Sequence, residues 1–159
     1  MVLTLDDLTV NISHLDRNTL LDDWRWMIGP TRVPILVTAL GNAFVLDTVD
    51  GWIDVIDVGP GTLQRVAASR DELRARLRHR EFVVEHFVPV VVAKMRESGQ
   101  VLGPGQVYGF KTPPPLGGEY SAENLQPTDI ETHFSTLGQL HDRTRSPAEE
   151  TPPDVVTME

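Results

Sequence analysis

The chain of 159 residues contains no cysteine. A disulfide framework, a thiolate metal site and a cysteine nucleophile are therefore excluded. No apolar run approaches the ~20 residues of a membrane-spanning helix. The longest, residues 87–93, is short and interrupted by Pro89. Basic residues are scarce, 14 against 23 acidic ones, for a formal net charge of −9. Such a surface is poorly suited to a phosphate backbone, so no nucleic-acid partner is expected. Phosphate-loop, dinucleotide, HExxH and GxSxG patterns are missing as well. The first residues, MVLTLDDLTVN, carry acids where a secretory leader carries bases. The reading is a cytoplasmic protein without a membrane segment.

Residues 99–120, GQVLGPGQVYGFKTPPPLGGEY, stand out. They hold six of the 12 glycines, four of the 12 prolines and both tyrosines. This density of backbone-special residues predicts tight turns, close chain approaches and positive-φ positions rather than a solvated linker. The segment could form one wall of a binding site or a packed connection.

Elsewhere the pattern predicts ordinary elements. Residues 18–28 suggest a short helix stopped by Gly29-Pro30. Residues 33–58 read as three strands, divided by Gly41-Asn42 and by the hairpin signal Asp50-Gly51. Residues 62–67 suggest a shorter fourth strand after the turn Gly59-Pro60-Gly61. Ser69 and Glu72 fit a capping box for a helix over 70–78. A helix over 81–98 is predicted to be kinked or divided at Pro89, although 88–92 could equally be a strand. A strand over 129–133 and a helix over 134–144 follow. The expected fold is α+β, a mostly antiparallel sheet packed against three or four helices. The expected organisation is an N-terminal extension (1–17), one domain (18–145) and a disordered acidic tail (146–159).

Candidate chemistry is thin. Asp47, Asp50, Asp54 and Asp57 surround Gly51, but the spacing fails the calcium-loop pattern. His133 and His141 lie eight residues apart, which on one helix is about 80° past two full turns. They cannot both face one zinc ion without other ligands. Arg70, Arg74 and Arg78 would share a helix face, more simply read as one that pairs with nearby acids than as an anion site. Trp24 and Trp26 lie about 200° apart on a helix, so at most one should be fully buried. No catalytic, cofactor-binding or metal-ligating residue is assigned. Candidate partner contacts are Asp22, Asp23, Trp26, Trp52, Tyr108 and Tyr120.

A set of segments carries a resemblance. They are WMIGP at 26–30, LGNAF at 40–44, Asp50-Gly51, GQVLGPGQVYGF at 99–110, PPLGG at 114–118, Tyr120, ENL at 123–125, Asp129, His133 and GQLH at 138–141. In this order they resemble the C-terminal domain of immunity proteins that protect bacteria from type VI secretion DNase effectors. That domain often follows a GAD-like domain, for which the residues before Asn18 are too few. The resemblance, over roughly 20–145, implies an α+β domain without known catalysis that binds and neutralises a toxic nuclease of the same cell. The alternative is a small-molecule-binding module or unrecognised enzyme, with the 99–120 loop as a wall and His133 or His141 at the lip. A housekeeping oligomer subunit is a third reading. The expected partner is a protein, and the resemblance implies a toxic nuclease effector.

Overall fold

A computed structural model describes the backbone of residues 3–150 and the side chains of residues 3–145. The fold is α+β. Helix α1 (Leu5–Leu8) leads into the two-residue strand β1 (Thr9–Val10). A 3-10 turn (Asp22–Trp24) continues as α2 (Arg25–Ile28). Strands β2 (Arg32–Thr38), β3 (Ala43–Asp47), β4 (Ile53–Asp57) and β5 (Thr62–Ala67) follow. Helices α3 (Arg70–Arg76), α4 (Arg80–Phe87) and α5 (Pro89–Glu97) precede β6 (Gln106–Phe110), β7 (Leu125–Asp129) and the long α6 (Ile130–Glu150). Strands β1 to β5 form one antiparallel sheet in chain order, and β6 pairs with β7 in a second.

Several expectations change in detail. The helix expected over 18–28 is split into the 3-10 turn and one α-helical turn. The strand expected over 129–133 ends at Asp129, where α6 begins. Residues 88–92 are helical apart from Val88, and Pro89 divides α4 from α5 by taking the first position of the second helix. Within residues 3–17, contacts with the later chain are made. Leu8 and Ile12 are buried, and Thr9 and Val10 pair with Thr38 and Val37. Helix α6 runs on through residues 146–150 of the expected tail; residues 151–159 lie outside the described residues.

Both faces of the large sheet are covered, which alternation along a strand accomplishes. Ala43, Val45 and Ile56 belong to a core with Trp24, Ile130, Phe134 and Leu137. Phe44, Ile53 and Val55 belong to a second core with Phe87, Val92, Met95 and Tyr108. Trp24 joins the 3-10 turn to α6 by donating its indole N–H to the Phe134 carbonyl at 2.8 Å. Trp26 remains partly exposed against the same helix, its Nε1 donating to Gly138 O at 3.2 Å. Gly138 permits this approach. A Cβ there would lie 2.5 Å from the Asp23 carbonyl oxygen.

Polar alternation on β4 conceals one exception. Asp54 points to the first core and is 2% exposed. It receives Arg32 Nε on one oxygen and Arg65 Nε on the other, each at 3.0 Å. Arg65 also covers the exposed Trp52 ring, 4.6 Å from its centroid. The strand tolerates a buried carboxylate because two guanidiniums from β2 and β5 replace its water.

Two substitutions test this packing by urea unfolding. Asp54→Asn leaves the arginines without their counter-charge and is expected to cost about 2–3 kcal/mol, less than a fully buried pair because Arg65 is half exposed. Gly138→Ala would raise intrinsic helix propensity by about 1 kcal/mol at an open site. Here it is expected to lower stability by at least about 1 kcal/mol, because the carbonyl it meets is backbone.

Candidate functional site

The cleft richest in convergent groups is built from the turns at one end of the large sheet. The β2–β3 turn supplies Leu40 and Asn42, and the β4–β5 turn supplies Asp57, Val58 and Gly59. The end of α4 adds Glu85 and Val88, α5 adds Val91, and the small sheet with its loop adds Phe110, Tyr120, Ser121 and Leu125. Its volume is about 200 Å³. Asn42 fixes the two turns together by accepting the Val58 N–H on Oδ1 at 3.0 Å.

Val88 has φ 46° and ψ 64°, the left-handed region, although it is β-branched. Such a conformation costs on the order of 1–2 kcal/mol. It arises where α4 must end and Pro89 must begin α5, and it places a strained residue in the cleft wall. Across from it, the Tyr120 ring packs edge-on to Phe110 at 5.8 Å and rests on Gly59. A Cβ at Gly59 would come 2.5 Å from Tyr120 Cε1. The loop bearing Tyr120 is a packed connection. Asn124 accepts the Thr112 N–H and donates to the carbonyls of Thr112 and Glu119, all within 2.9 Å. Gly118 lies so close to the Thr112 carbonyl that no Cβ could fit.

The lip is acidic. Asp57, Glu85 and Tyr120 are exposed there, whereas Val58 and Leu125 are buried below. Surrounding protein pushes the Asp57 carboxyl above the usual carboxylate range; the Gly59 N–H and nearby His86 partly oppose this. Burial pushes His86 below its ordinary value against the pull of Glu85 and Asp57. His86 is held among Phe44 and Phe82, with ring centroids 5.9 and 4.5 Å away. Neither a lysine nor an arginine lines the cleft. Among the described residues, no three His, Cys, Asp or Glu side chains are grouped as a metal site needs.

The sequence candidates do not form one surface. Tyr108 is a correction. It is 1% exposed, and its hydroxyl donates to Gln100 O at 2.6 Å, so it anchors the 99–120 segment from within the core. Asp23 accepts the Ser135 hydroxyl at 2.6 Å and, with Trp26, faces α6. Asp22 is exposed beside Arg25. Trp52 lies in the β3–β4 hairpin, and Tyr120 alone reaches the cleft. Sequence reading missed Asp57, Glu85 and Val88 as site residues. The Val88-Pro89 pair, a β-branched residue before a helix-breaking proline, was the available signal for the last.

Neither histidine lines this cleft, although His133 lines a second cavity with Gly109, Phe110, Lys111 and Pro113 of the 99–120 segment, as the alternative expects. His133 is buried and its Nε2–H donates to Gly41 O at 2.9 Å. His141 Nε2–H points to Val58 O at 2.9 Å and Gly59 O at 3.2 Å. Both rings are engaged with the backbone of turns.

The comparisons with known proteins agree with this architecture. Residues 67–141 match the family described as T6SS immunity protein Tdi1, C-terminal. This is narrower than the span carrying the resemblance, and it contains α3 to β7, most of α6 and the Glu85, Val88 and Tyr120 side of the cleft. Among solved structures, the crystal structure of Atu4351 from Agrobacterium tumefaciens is similar, with a TM-score of 0.55 and 15% identity. The match covers 77% of this chain and 62% of that one. At this identity the likeness is one of fold. No curated protein matches the chain.

Burial pushes the His133 pKa down to about 4 from 6.5, while its bond to Gly41 opposes the shift. Between these values the unfolded chain binds the proton and the folded protein does not. The contribution is therefore complete above pH 6.5 and drains away as pH falls toward 4. The stability gap between the native protein and a His133→Gln variant should narrow by about 2–3 kcal/mol from neutral pH to pH 4. Urea titrations of both proteins across this interval check it.

Proposed function

We propose that this protein acts as an immunity-type inhibitor in type VI secretion, binding a toxic nuclease of its own cell and blocking it without chemistry of its own. The match of residues 67–141 to the Tdi1 C-terminal family carries this reading. The charge balance supports it. A nuclease must present basic residues to its phosphate substrate, and a chain of net charge −9 is attracted to such a surface. Covering the substrate groove would suffice for inhibition.

Co-expression with the product of the neighbouring gene provides the test. Growth should be rescued from that product's toxicity, and the two chains should co-purify. Association should slow about tenfold or more as salt rises from about 50 to about 300 mM, since long-range attraction is screened. A non-toxic neighbour and a pull-down that yields no complex would defeat the proposal.

A further inference from the structure

The cleft combines two properties that seldom coincide without a purpose. Its depth is apolar, formed by Val58, Val91, Phe110 and Leu125, while its lip carries carboxylates. Asp57 and Glu85 make no ion pair with lysine or arginine among the described residues. Glu85 has only His86 at 3.8 Å, and the Asp57 carboxylate accepts the Gly59 N–H. The depressed pKa of His86 keeps that ring neutral at neutral pH, so it does not offset the two acids. Asp54, three residues before Asp57, has two arginines.

The dimensions narrow the ligand. At about 200 Å³ the space lies below the roughly 300–1,000 Å³ of ordinary small-molecule sites and suits one long side chain. A bare metal ion is disfavoured by the lack of a three-ligand group. An organic cation on an aliphatic stem satisfies both halves of the cleft. The exposed phenol ring of Tyr120 at the lip favours a planar guanidinium over an ammonium.

We propose that the cleft is a socket for a single arginine side chain of the partner protein, with its stem against Val58, Val91 and Phe110 and its head between Asp57 and Glu85 under Tyr120. This rests on the protein-binding reading above and names the anchor that reading lacks. A guanidinium held by two carboxylates and an aromatic face in a half-closed cleft is the kind of contact that dominates an interface.

Titrating isotopically labelled protein with N-acetyl-arginine-methylamide tests the socket without the partner, using the norleucine and glutamate analogues as controls. Saturable amide shifts should centre on Val58, Gly59 and Val91. Affinity should fall about fivefold or more in the Asp57→Asn/Glu85→Gln double variant, and again as salt rises from about 50 to about 500 mM. Both substituted side chains are exposed, so unchanged spectra elsewhere will show that the fold is kept. Equal binding of the norleucine analogue, undiminished affinity in the double variant, or no shifts at the cleft would overturn the socket. In the complex with the co-expressed nuclease, the double variant should bind about tenfold more weakly. An unchanged Kd there rejects the socket and leaves the immunity reading standing. Failure of every candidate nuclease to bind rejects the immunity reading, while the arginine titration still decides whether the socket exists.

Discussion

A neutral imidazole wedged between two glycines holds this molecule together. His133 on α6 donates to the Gly41 carbonyl in the β2–β3 turn, while its other nitrogen faces Gly109 on β6. A Cβ at Gly41 would sit 2.2 Å from Nε2, and one at Gly109 would sit 3.0 Å from Nδ1. No side chain fits at the first position, and the second leaves almost no slack. The large sheet, the small sheet and the long helix thus meet at one ring. That ring must be uncharged, because protonation would place an imidazolium where no water can reach it.

The second histidine repeats the device a little over two helical turns further along. His141 donates to the carbonyls of Val58 and Gly59, and its ring occupies the space a Cβ at Gly61 would need. Eight residues of helix advance about 12 Å. The β2–β3 and β4–β5 turns lie at the same end of the sheet, two strand spacings or about 10 Å apart. One helix crossing the sheet therefore docks a histidine on each turn. Asn42 bridges the same turns from below. The cleft is held open between structures fixed in this way, with Val58 and Gly59 serving both the clamp and the cleft wall.

Much of this was legible because it depends on local chemistry. β-Branched runs, Asp50-Gly51 and Gly41-Asn42 locate β2 to β4, and Ser69 accepts the Glu72 N–H as the capping box requires. Pro89 divides two helices because a proline lacks the N–H that a continuous helix would use. The 99–120 segment does contain positive-φ glycines at 99, 105 and 117. It also contains β6, which the sequence concealed, because Gly109 breaks the β pattern to make room for Thr128 on β7 and His133 on α6. The function of His133 and His141 was equally hidden. Their eight-residue spacing argues against one shared metal ion, but only tertiary structure brings the glycine turns beneath them. Tyr108 read as a surface contact because nothing local reveals that its hydroxyl meets the Gln100 carbonyl inside the core.

The contrast between Asp54 and Asp57 separates structural from functional charge. They lie three positions apart on one strand, so alternation sends them to opposite faces of the sheet. Asp54 enters a core, where an unpaired carboxylate would be prohibitive, and the fold surrounds it with Arg32 and Arg65. Asp57 emerges at a lip lined by no lysine or arginine, in a cleft that Glu85 and the strained Val88 also line. A fold able to supply two guanidiniums to one carboxylate had the means to supply one to the other. Asp57 and Glu85 place two acids at the edge of an apolar cleft lined by no lysine or arginine. In the proposed socket a cation brought by a partner would meet both carboxylates and the apolar wall together. Asp54 thus serves the fold, whereas the socket proposed at Asp57 would serve recognition.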